Sequence, residues 1–155
     1  MGFLTNIKYD IVRDKTALSV PCLPCNDIEK GVDIGQSLLE YLAQIDQGLG
    51  LAANQVGLSY RVCVLCVVRP IILVNPKIIE KSKKIYFQEA CLSFPGDYIL
   101  TERYASIVVK ADNHLDVCFF NEDINILECV CVQHEIDHLD GITMYERQIG
   151  NESSG

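Results

Sequence analysis

Several common features are missing from this sequence of 155 residues, which contains no tryptophan and only three histidines. It has no apolar run approaching the roughly 20 residues that a membrane-spanning helix needs. The first 15 residues lack the basic start and long apolar core of a secretory signal. Gly2 is not followed by serine or threonine at the position that myristoylation requires. We therefore expect a cytoplasmic protein with no membrane partner.

An excess of positive charge is also missing. The chain carries 13 Lys and Arg against 21 Asp and Glu, for a net charge of −8. Proteins that bind nucleic acids carry basic patches, so we expect no nucleic-acid partner. The one basic cluster, KSKK at 81–84, is interpreted as a solvated turn. With 49% hydrophobic residues, the length fits a single domain of residues 1–155, in which 149–155 form a frayed tail.

Cysteine is abundant, with eight residues at positions 22, 25, 63, 66, 91, 118, 129 and 131. In a cytoplasmic chain such residues serve as metal ligands, as nucleophiles or as small buried side chains. Cys22 with Cys25, and Cys63 with Cys66, spell C-x-x-C, as in a zinc ribbon. On a strand, however, residues 63 and 66 point to opposite faces. We interpret these pairs as buried apolar side chains.

Hydrophobic periodicity predicts an α+β fold. Helical spacing appears at 34–46 and at 125–141, where Gly141 fits the C-terminal end. Strands are predicted at 61–68, at 71–80 with a break at Asn75-Pro76, and at 85–96 with a turn at Pro95-Gly96. Residues 105–111 and 115–120 are predicted to form a hairpin, 48–58 a tight loop entering a strand, and 1–33 an irregular segment. We expect short antiparallel or mixed β-sheets packed around a central helix.

That central helix carries the pattern H-E-x-x-H at His134, Glu135 and His138. The two histidines share a helix face and can bind one metal ion, with the glutamate close enough to reach a water on it. The metzincin pattern would need a third histidine at position 144, which is Met144. Only 17 residues follow His138, too few for a second helix with a glutamate ligand.

A third ligand must therefore come from upstream of the helix. Cys131 lies three residues before His134 and shares its face. Cys91 lies at a predicted strand end, where a thiolate can point into a pocket. The spacing alone leaves both residues open as the third ligand.

Three separated motifs resemble those of the peptide deformylase family. They are GLGLAANQ at 48–55, EACLS at 89–93 and QHEIDH at 133–138, and the resemblance covers roughly residues 35–146. It implies that Cys91, His134 and His138 bind one divalent ion, with water in the fourth position. Fe²⁺ is the native metal that the resemblance implies, and Zn²⁺, Ni²⁺ and Co²⁺ also suit such ligands.

The resemblance also implies an activity, the removal of the formyl group from N-formylmethionyl peptides with release of formate. Glu135 would accept a proton from water and pass it to the leaving amine. The Gln55 side chain and the Leu92 backbone N–H would stabilise the oxyanion. Gly50 would permit close approach of the substrate, and Glu89 would orient the site through hydrogen bonds. The methionine pocket would be lined by Leu49, Phe87, Leu127, Val130 and Cys131.

Some positions depart from the family pattern. Ala90 replaces a glycine, and Tyr98 stands where many bacterial members have an arginine, while Arg103 matches another basic position. The sequence ends soon after YERQIG, without the C-terminal helix that assists ribosome docking, so ribosome association is not implied. This short form resembles bacteriophage-encoded members, which would act in the host cytoplasm. The alternatives are a peptidase that uses the same H-E-x-x-H pattern, and a non-enzymatic binder of peptide N-termini.

Overall fold

The computed structural model describes residues 9–46 and 48–150. Its α-helices are α1 (Lys15–Leu18), α2 (Ile28–Leu42) and α3 (Glu122–Leu139), with short 3-10 helices at Ala53–Val56 and Met144–Arg147. Its strands are β1 (Gly50–Ala52), β2 (Val62–Cys66), β3 (Pro70–Val74), β4 (Lys77–Cys91), β5 (Phe94–Lys110) and β6 (Cys118–Asn121). Residues 151–155 of the predicted frayed tail lie outside the described part of the chain.

The strands form two small antiparallel sheets, in the orders β1-β2-β3 and β4-β5-β6. In the second sheet, β4 and β5 make a long hairpin, in which Cys91 pairs with Phe94 across a two-residue turn. The hairpin therefore ends beside Cys91. The predicted combination of helices with small antiparallel sheets is confirmed, although β4 and β5 have 15 and 17 residues and are not short.

Several sequence predictions were wrong in detail. The segment 1–33 is not wholly irregular, because it contains α1 and the first turns of α2, which begins six residues before the predicted start. Asp27 explains that earlier start, since its side chain accepts a hydrogen bond from the Lys30 N–H. The KSKK segment is solvated but lies within β4, and Pro95-Gly96 lies within β5. The segment 48–58, predicted as a tight loop entering a strand, contains the short strand β1 and then a 3-10 helix.

Helix α3 is capped twice. The Asn121 side chain accepts from the Ile124 N–H at 3.0 Å, and the Asn125 side chain accepts from the Glu128 N–H at 2.9 Å. Asn125 has a non-helical backbone (φ −170°), so a kink separates a short first turn from the main helix. Every residue from Glu128 to Leu139 is buried. A helix that is covered on all sides has no solvated stripe, and its polar residues must find partners inside the protein.

The core lies between α3 and the strands of both sheets. One hydrophobic cluster joins the helix to β2, β3 and β5, and its fully buried members include Leu65, Leu73, Ile107 and Leu139. A second cluster packs α2 against the first sheet through Leu38, Leu42, Val62 and Val74. Within residues 9–46 and 48–150, no helix combines the length and apolar character needed to cross a membrane.

The end of α3 generates a stability prediction. Gly141 has φ +75°, and a Cβ there would lie 2.7 Å from the Ser19 carbonyl oxygen. Gly57 has φ +85° with open space around it. We expect Gly57→Ala to lower the free energy of unfolding by about 1–2 kcal/mol, the cost of a left-handed alanine. Gly141→Ala should lower it further, by about 1–3 kcal/mol of overpacking. Denaturant unfolding of both variants measures this, and equal losses would contradict the close contact with Ser19.

Candidate metal centre

Three potential ligands converge where the β4-β5 hairpin meets α3. The Cys91 Sγ lies 3.4 Å from the His138 Nε2, which lies 3.2 Å from the His134 Nε2. One ligand atom from each residue falls within 4.8 Å of the others, and all three residues are buried. Cys131 is not in this cluster and lies beside Gly50 instead. The structure therefore brings Cys91, and not Cys131, to the two histidines.

The spacing of these atoms suits a metal ion. A tetrahedral ion with bonds of about 2.05 Å to nitrogen and about 2.3 Å to sulfur separates two nitrogens by about 3.3 Å, and nitrogen from sulfur by about 3.6 Å. The observed separations of 3.2 Å and 3.4 Å are close to those values. A thiolate and two imidazoles fill three positions and leave one for water. The residues thus fit a divalent ion of the borderline-soft class.

The electrostatics of the cluster point the same way. Burial and the charge on His134 keep the pKa of His138 well below its usual value, so this imidazole stays neutral, as a metal ligand must. Burial would also lower the pKa of His134, but Cys91, Glu135 and Glu89 raise it well above its usual value. Because these groups favour positive charge on His134, they also favour a cation at the centre of the cluster.

Glu135 lies next to the cluster and is 3% exposed. Its Oε1 is buried and has no hydrogen-bond partner within the described ranges. Burial raises the pKa of Glu135 to about 7, and a bound cation nearby would lower it. A Cβ on Gly50 would lie 2.6 Å from the Glu135 Oε2 and 2.7 Å from the Cys131 Sγ. Only glycine leaves room for the carboxylate in its present position.

Gln55 approaches the cluster from the 3-10 helix that follows β1. Its Oε1 accepts a hydrogen bond from the Ala52 N–H at 2.9 Å, which fixes the orientation of the amide. Its Nε2 therefore points to the cluster, 3.6 Å from the Cys91 Sγ and 3.1 Å from the Ser93 Oγ. Leu92, also predicted for this site, lies in the turn after Cys91 and packs against the cluster of α2 and the first sheet.

Glu89 and Arg103 form a buried ion pair behind His134. The Glu89 Oε1 lies 2.8 Å from the His134 Nδ1 and accepts a hydrogen bond from the Arg103 Nη2 at 2.8 Å. The Arg103 Nε donates a second hydrogen bond to Glu89 Oε2, which also accepts from Thr101. Glu89 thus contacts a proposed metal ligand directly. Hydrogen bonding of this kind fixes which imidazole nitrogen is free to bind a metal.

Two further residues of this network were not predicted from the sequence. Asp137 accepts from the Arg103 Nη1 at 2.5 Å and pairs with Arg147 on the other side. Asp137 lies within the QHEIDH motif, three residues after His134. Its position on the same helix could therefore have predicted that it lies near the site. Arg147 gives no such signal, because its contact depends on how the chain turns back after Gly141.

The predicted pocket residues divide by exposure. Val130 and Cys131 are 2% and 9% exposed, while Leu49 and Leu127 are each 37% exposed, and Phe87 is partly buried. Tyr98 and Ala90, the departures from the family pattern, are both exposed. Cys22, Cys25 and Cys63 are buried as predicted, whereas Cys66 is exposed at the end of β2, so the prediction of a buried side chain is wrong for Cys66.

A buried Cys-His-His cluster beside a buried glutamate is the arrangement of a metal-dependent hydrolase. The family model described as polypeptide deformylase matches residues 9–153. The chain therefore belongs to the polypeptide deformylase family.

Individual relatives agree with this assignment. Peptide deformylase 1 of Vibrio vulnificus (strain YJ016) is 44% identical over 108 residues, which cover 67% of this chain and 64% of the relative. Peptide deformylase of Hydrogenovibrio crunogenus is 36% identical over 139 residues, covering 86% and 82% of the two chains. This chain thus spans just under two thirds of the Vibrio relative's length.

Solved structures share the fold. The crystal structure of peptide deformylase from Thermotoga maritima is 29% identical with a TM-score of 0.83, covering 94% of this chain and 100% of that one. A peptide deformylase from Synechococcus elongatus in complex with actinonin is 27% identical with a TM-score of 0.81, covering 96% and 81% of the two chains. The family match and the shared fold therefore agree.

The hydrogen bond from Glu89 to His134 generates a prediction about metal affinity. Glu89→Gln keeps the shape of the side chain but removes the charge that fixes the imidazole. Loss of such a partner typically weakens metal binding about 10–100-fold. We expect the affinity of Glu89→Gln for Zn²⁺ or Co²⁺ to fall by a factor of that size, as measured by competition with a chelator. Glu80→Gln is the matched control, because Glu80 is exposed on the same strand. Equal affinities in the two variants would contradict the orienting role of Glu89.

Proposed function

We propose that this chain hydrolyses the formyl amide of N-formylmethionyl peptides and releases formate. The observation that carries the proposal is the convergence of Cys91, His134 and His138 beside the buried carboxylate of Glu135. The three motifs supply the substrate class, since deformylases act on formylated peptide N-termini. We also propose that residues 1–155 form one catalytic domain in which α3 is the central element.

Cys91, His134 and His138 are the proposed ligands of one divalent ion, with Fe²⁺ as the native metal and Zn²⁺, Ni²⁺ or Co²⁺ as alternatives. When bound, such an ion polarises a carbonyl oxygen and makes water nucleophilic near neutral pH. The chain's own contribution is to hold the donors at fixed separations in a buried site. Glu89 holds His134 by its Nδ1, which leaves the Nε2 directed at His138.

Glu135 is the proposed proton carrier. Its carboxylate would take a proton from the attacking water and deliver it to the methionine nitrogen as the carbon–nitrogen bond breaks. Burial raises the pKa of Glu135 to about 7 and a bound cation would lower it, so the group is ionised before the reaction and can accept the proton. Its unpartnered Oε1 is free to accept the proton.

Gln55 and the Leu92 backbone N–H are the proposed donors to the oxyanion that forms on the formyl oxygen. The bond from the Ala52 N–H holds the Gln55 amide in one orientation before the substrate arrives. A donor that is already oriented needs no reorganisation during the reaction, and losing one such donor typically costs about 2.7–4 kcal/mol of barrier.

The methionine side chain is proposed to lie against Leu49, Phe87, Leu127, Val130 and Cys131. Val130 and Cys131 are buried one turn before Glu135, while Leu49 and Leu127 are partly exposed. A pocket lined by these residues would be closed at one end and open at the other, which suits the side chain of the first residue of a peptide. Burial raises the pKa of the Cys131 thiol well above its usual value, so this wall of the pocket is uncharged.

Formate release from a short formyl-Met peptide is the experiment that tests the proposal, with protein prepared without oxygen and loaded with Fe²⁺. We expect turnover by the parent chain and none by Glu135→Gln, which should still bind the ion. Cys91→Ala should lose both the ion and the activity, because two imidazoles alone bind a divalent metal weakly. Actinonin should inhibit, since a deformylase of the same fold binds it.

Three outcomes would count against the proposal. Full activity in Glu135→Gln would show that another group carries the proton. Cleavage of an unformylated peptide would favour a peptidase. No formate from a parent protein with stoichiometric Fe²⁺ would favour a binder of peptide N-termini.

Gly50 generates a second prediction for this activity. The methyl group of Gly50→Ala would overlap the Glu135 carboxylate at 2.6 Å, so the carboxylate must move. A displacement of about 1 Å in a reacting group can cost about 100-fold in rate. We expect a loss of that size in kcat with the metal retained. Cys131→Ala removes the other close contact of this methyl group, at 2.7 Å, and leaves room for it to shift away from Glu135, so the double variant should recover part of the rate. No recovery would mean that the alanine acts on the strand itself.

A further inference from the structure

We propose that Arg147, beyond the three family motifs, is a positioning residue of the metal centre. It acts on the His134 imidazole through Asp137, Arg103 and Glu89. The inference rests on the proposed metal site and concerns a residue with no contact to the ligands themselves. Arg147 is the last residue of the 3-10 helix that follows α3, and its side chain is 42% exposed.

The chain of contacts begins at the surface. The Arg147 Nε donates to the Asp137 Oδ2 at 2.9 Å, and the Nη2 donates to Oδ1 at 2.8 Å. Both carboxylate oxygens are therefore engaged by one guanidinium group, the geometry that most strongly orients an ion pair. The same Oδ2 also accepts from the Arg103 Nη1 at 2.5 Å. Asp137 thus lies between two arginines.

From Asp137 the contacts run inward to the ligand. Arg103 donates to both oxygens of Glu89, with the Nη2 to Oε1 bond at 2.8 Å. That Oε1 lies 2.8 Å from the His134 Nδ1. Four consecutive contacts therefore connect a partly exposed side chain to a proposed metal ligand, and planar carboxylates and guanidiniums restrict every contact in orientation.

Charge balance explains why Arg147 matters to this arrangement. Glu89 and Asp137 contribute two negative charges, and Arg103 and Arg147 contribute two positive charges. The side chains of Glu89 and Arg103 are each 3% exposed, and that of Asp137 is 10% exposed. Without Arg147, one guanidinium would serve two buried carboxylates, and an unbalanced buried charge is unfavourable. Arg103 would shift towards Asp137 and loosen its hold on Glu89.

The backbone around Arg147 is tied to the same network. Gln148 forms a β-bridge with Thr101, and the Ile149 N–H donates to the Leu100 carbonyl at 3.0 Å. Thr101 in turn donates from its hydroxyl to the Glu89 Oε2 at 2.5 Å. The segment after α3 is therefore fixed to β5 at the residue that also contacts Glu89, which places the Arg147 guanidinium within reach of Asp137.

Metal release provides a test that does not depend on turnover. Protein loaded with Co²⁺ would be mixed with excess chelator, and the release rate and the Co²⁺ absorption spectrum would be recorded. We expect Arg147→Met to release the ion about tenfold faster, the low end of the range for residues that support a ligand. The spectrum should shift as the imidazole moves. Lys84→Met is the matched control, because it removes a surface cation paired with Glu102, and it should match the parent.

The route through Asp137 is tested with a double variant. If Arg147 acts through Asp137, Arg147→Met should add little to the release rate of Asp137→Asn. If each substitution raises the release rate independently, so that the two factors multiply in the double variant, the proposed route is overturned. Arg147→Lys, which keeps the charge without the two-point contact, should fall between parent and Arg147→Met. If Arg147→Met fails to fold, the release rate of Arg147→Lys is compared with that of the parent instead.

Kinetics separate positioning from substrate contact. In the formate assay we expect kcat of Arg147→Met to fall while KM stays unchanged. A rise in KM alone, or parent-like metal release by a folded Arg147→Met, would overturn the inference. If the parent releases no formate, the proposed function fails by itself, and faster metal release by Arg147→Met would still support the positioning role.

Discussion

The pairing of the Glu89 carboxylate with Arg103 and His134 is the interaction on which the site depends. Burial alone would raise the pKa of Glu89, but hydrogen bonds from Arg103 and His134 lower it to about 2. Glu89 therefore stays negatively charged although it is buried. Because Glu89 lies two residues before Cys91 on β4 and contacts His134 on α3, one carboxylate joins the hairpin that supplies the thiolate to the helix that supplies both imidazoles.

This arrangement requires a helix that is buried on all sides yet rich in polar groups. Buried polar groups lower stability unless they are hydrogen-bonded. Most buried polar side chains of α3 form hydrogen bonds with neighbouring segments. The Gln133 amide, for example, donates to the Tyr104 carbonyl and accepts from the Tyr104 N–H. The Oε1 of Glu135 and the Nδ1 of His138 have no partner among the described residues. The other two such atoms are on Glu40 and Asn54, so half of the unmet hydrogen-bonding capacity among the described side chains lies at the proposed reaction centre.

The three candidate metal ligands were easier to predict from the sequence than the ends of the strands, since the structure brings Cys91, His134 and His138 together. The proposal for His134, Glu135 and His138 follows from their spacing on one helix, whereas the proposals for Cys91 and Gln55 follow from motifs that resemble those of deformylases. The ends of β4 and β5 could not be read in this way, because the exposed KSKK segment and Pro95-Gly96 resemble turns. Long-range strand pairing outweighs those local signals. The contact of Arg147 with Asp137 was missed because it depends on the tertiary path after Gly141.

No single element of this chain can form the proposed metal centre alone. The thiolate and the His138 imidazole lie 47 residues apart in sequence, and the Gln55 amide comes from a third segment. The donors therefore converge only when the hairpin, the helix and the segment after β1 are packed together. An ion that binds only this packed state stabilises it by mass action. The buried network of Glu89, Arg103 and Asp137 stabilises the same packed state as the ion would, because both hold the hairpin against α3.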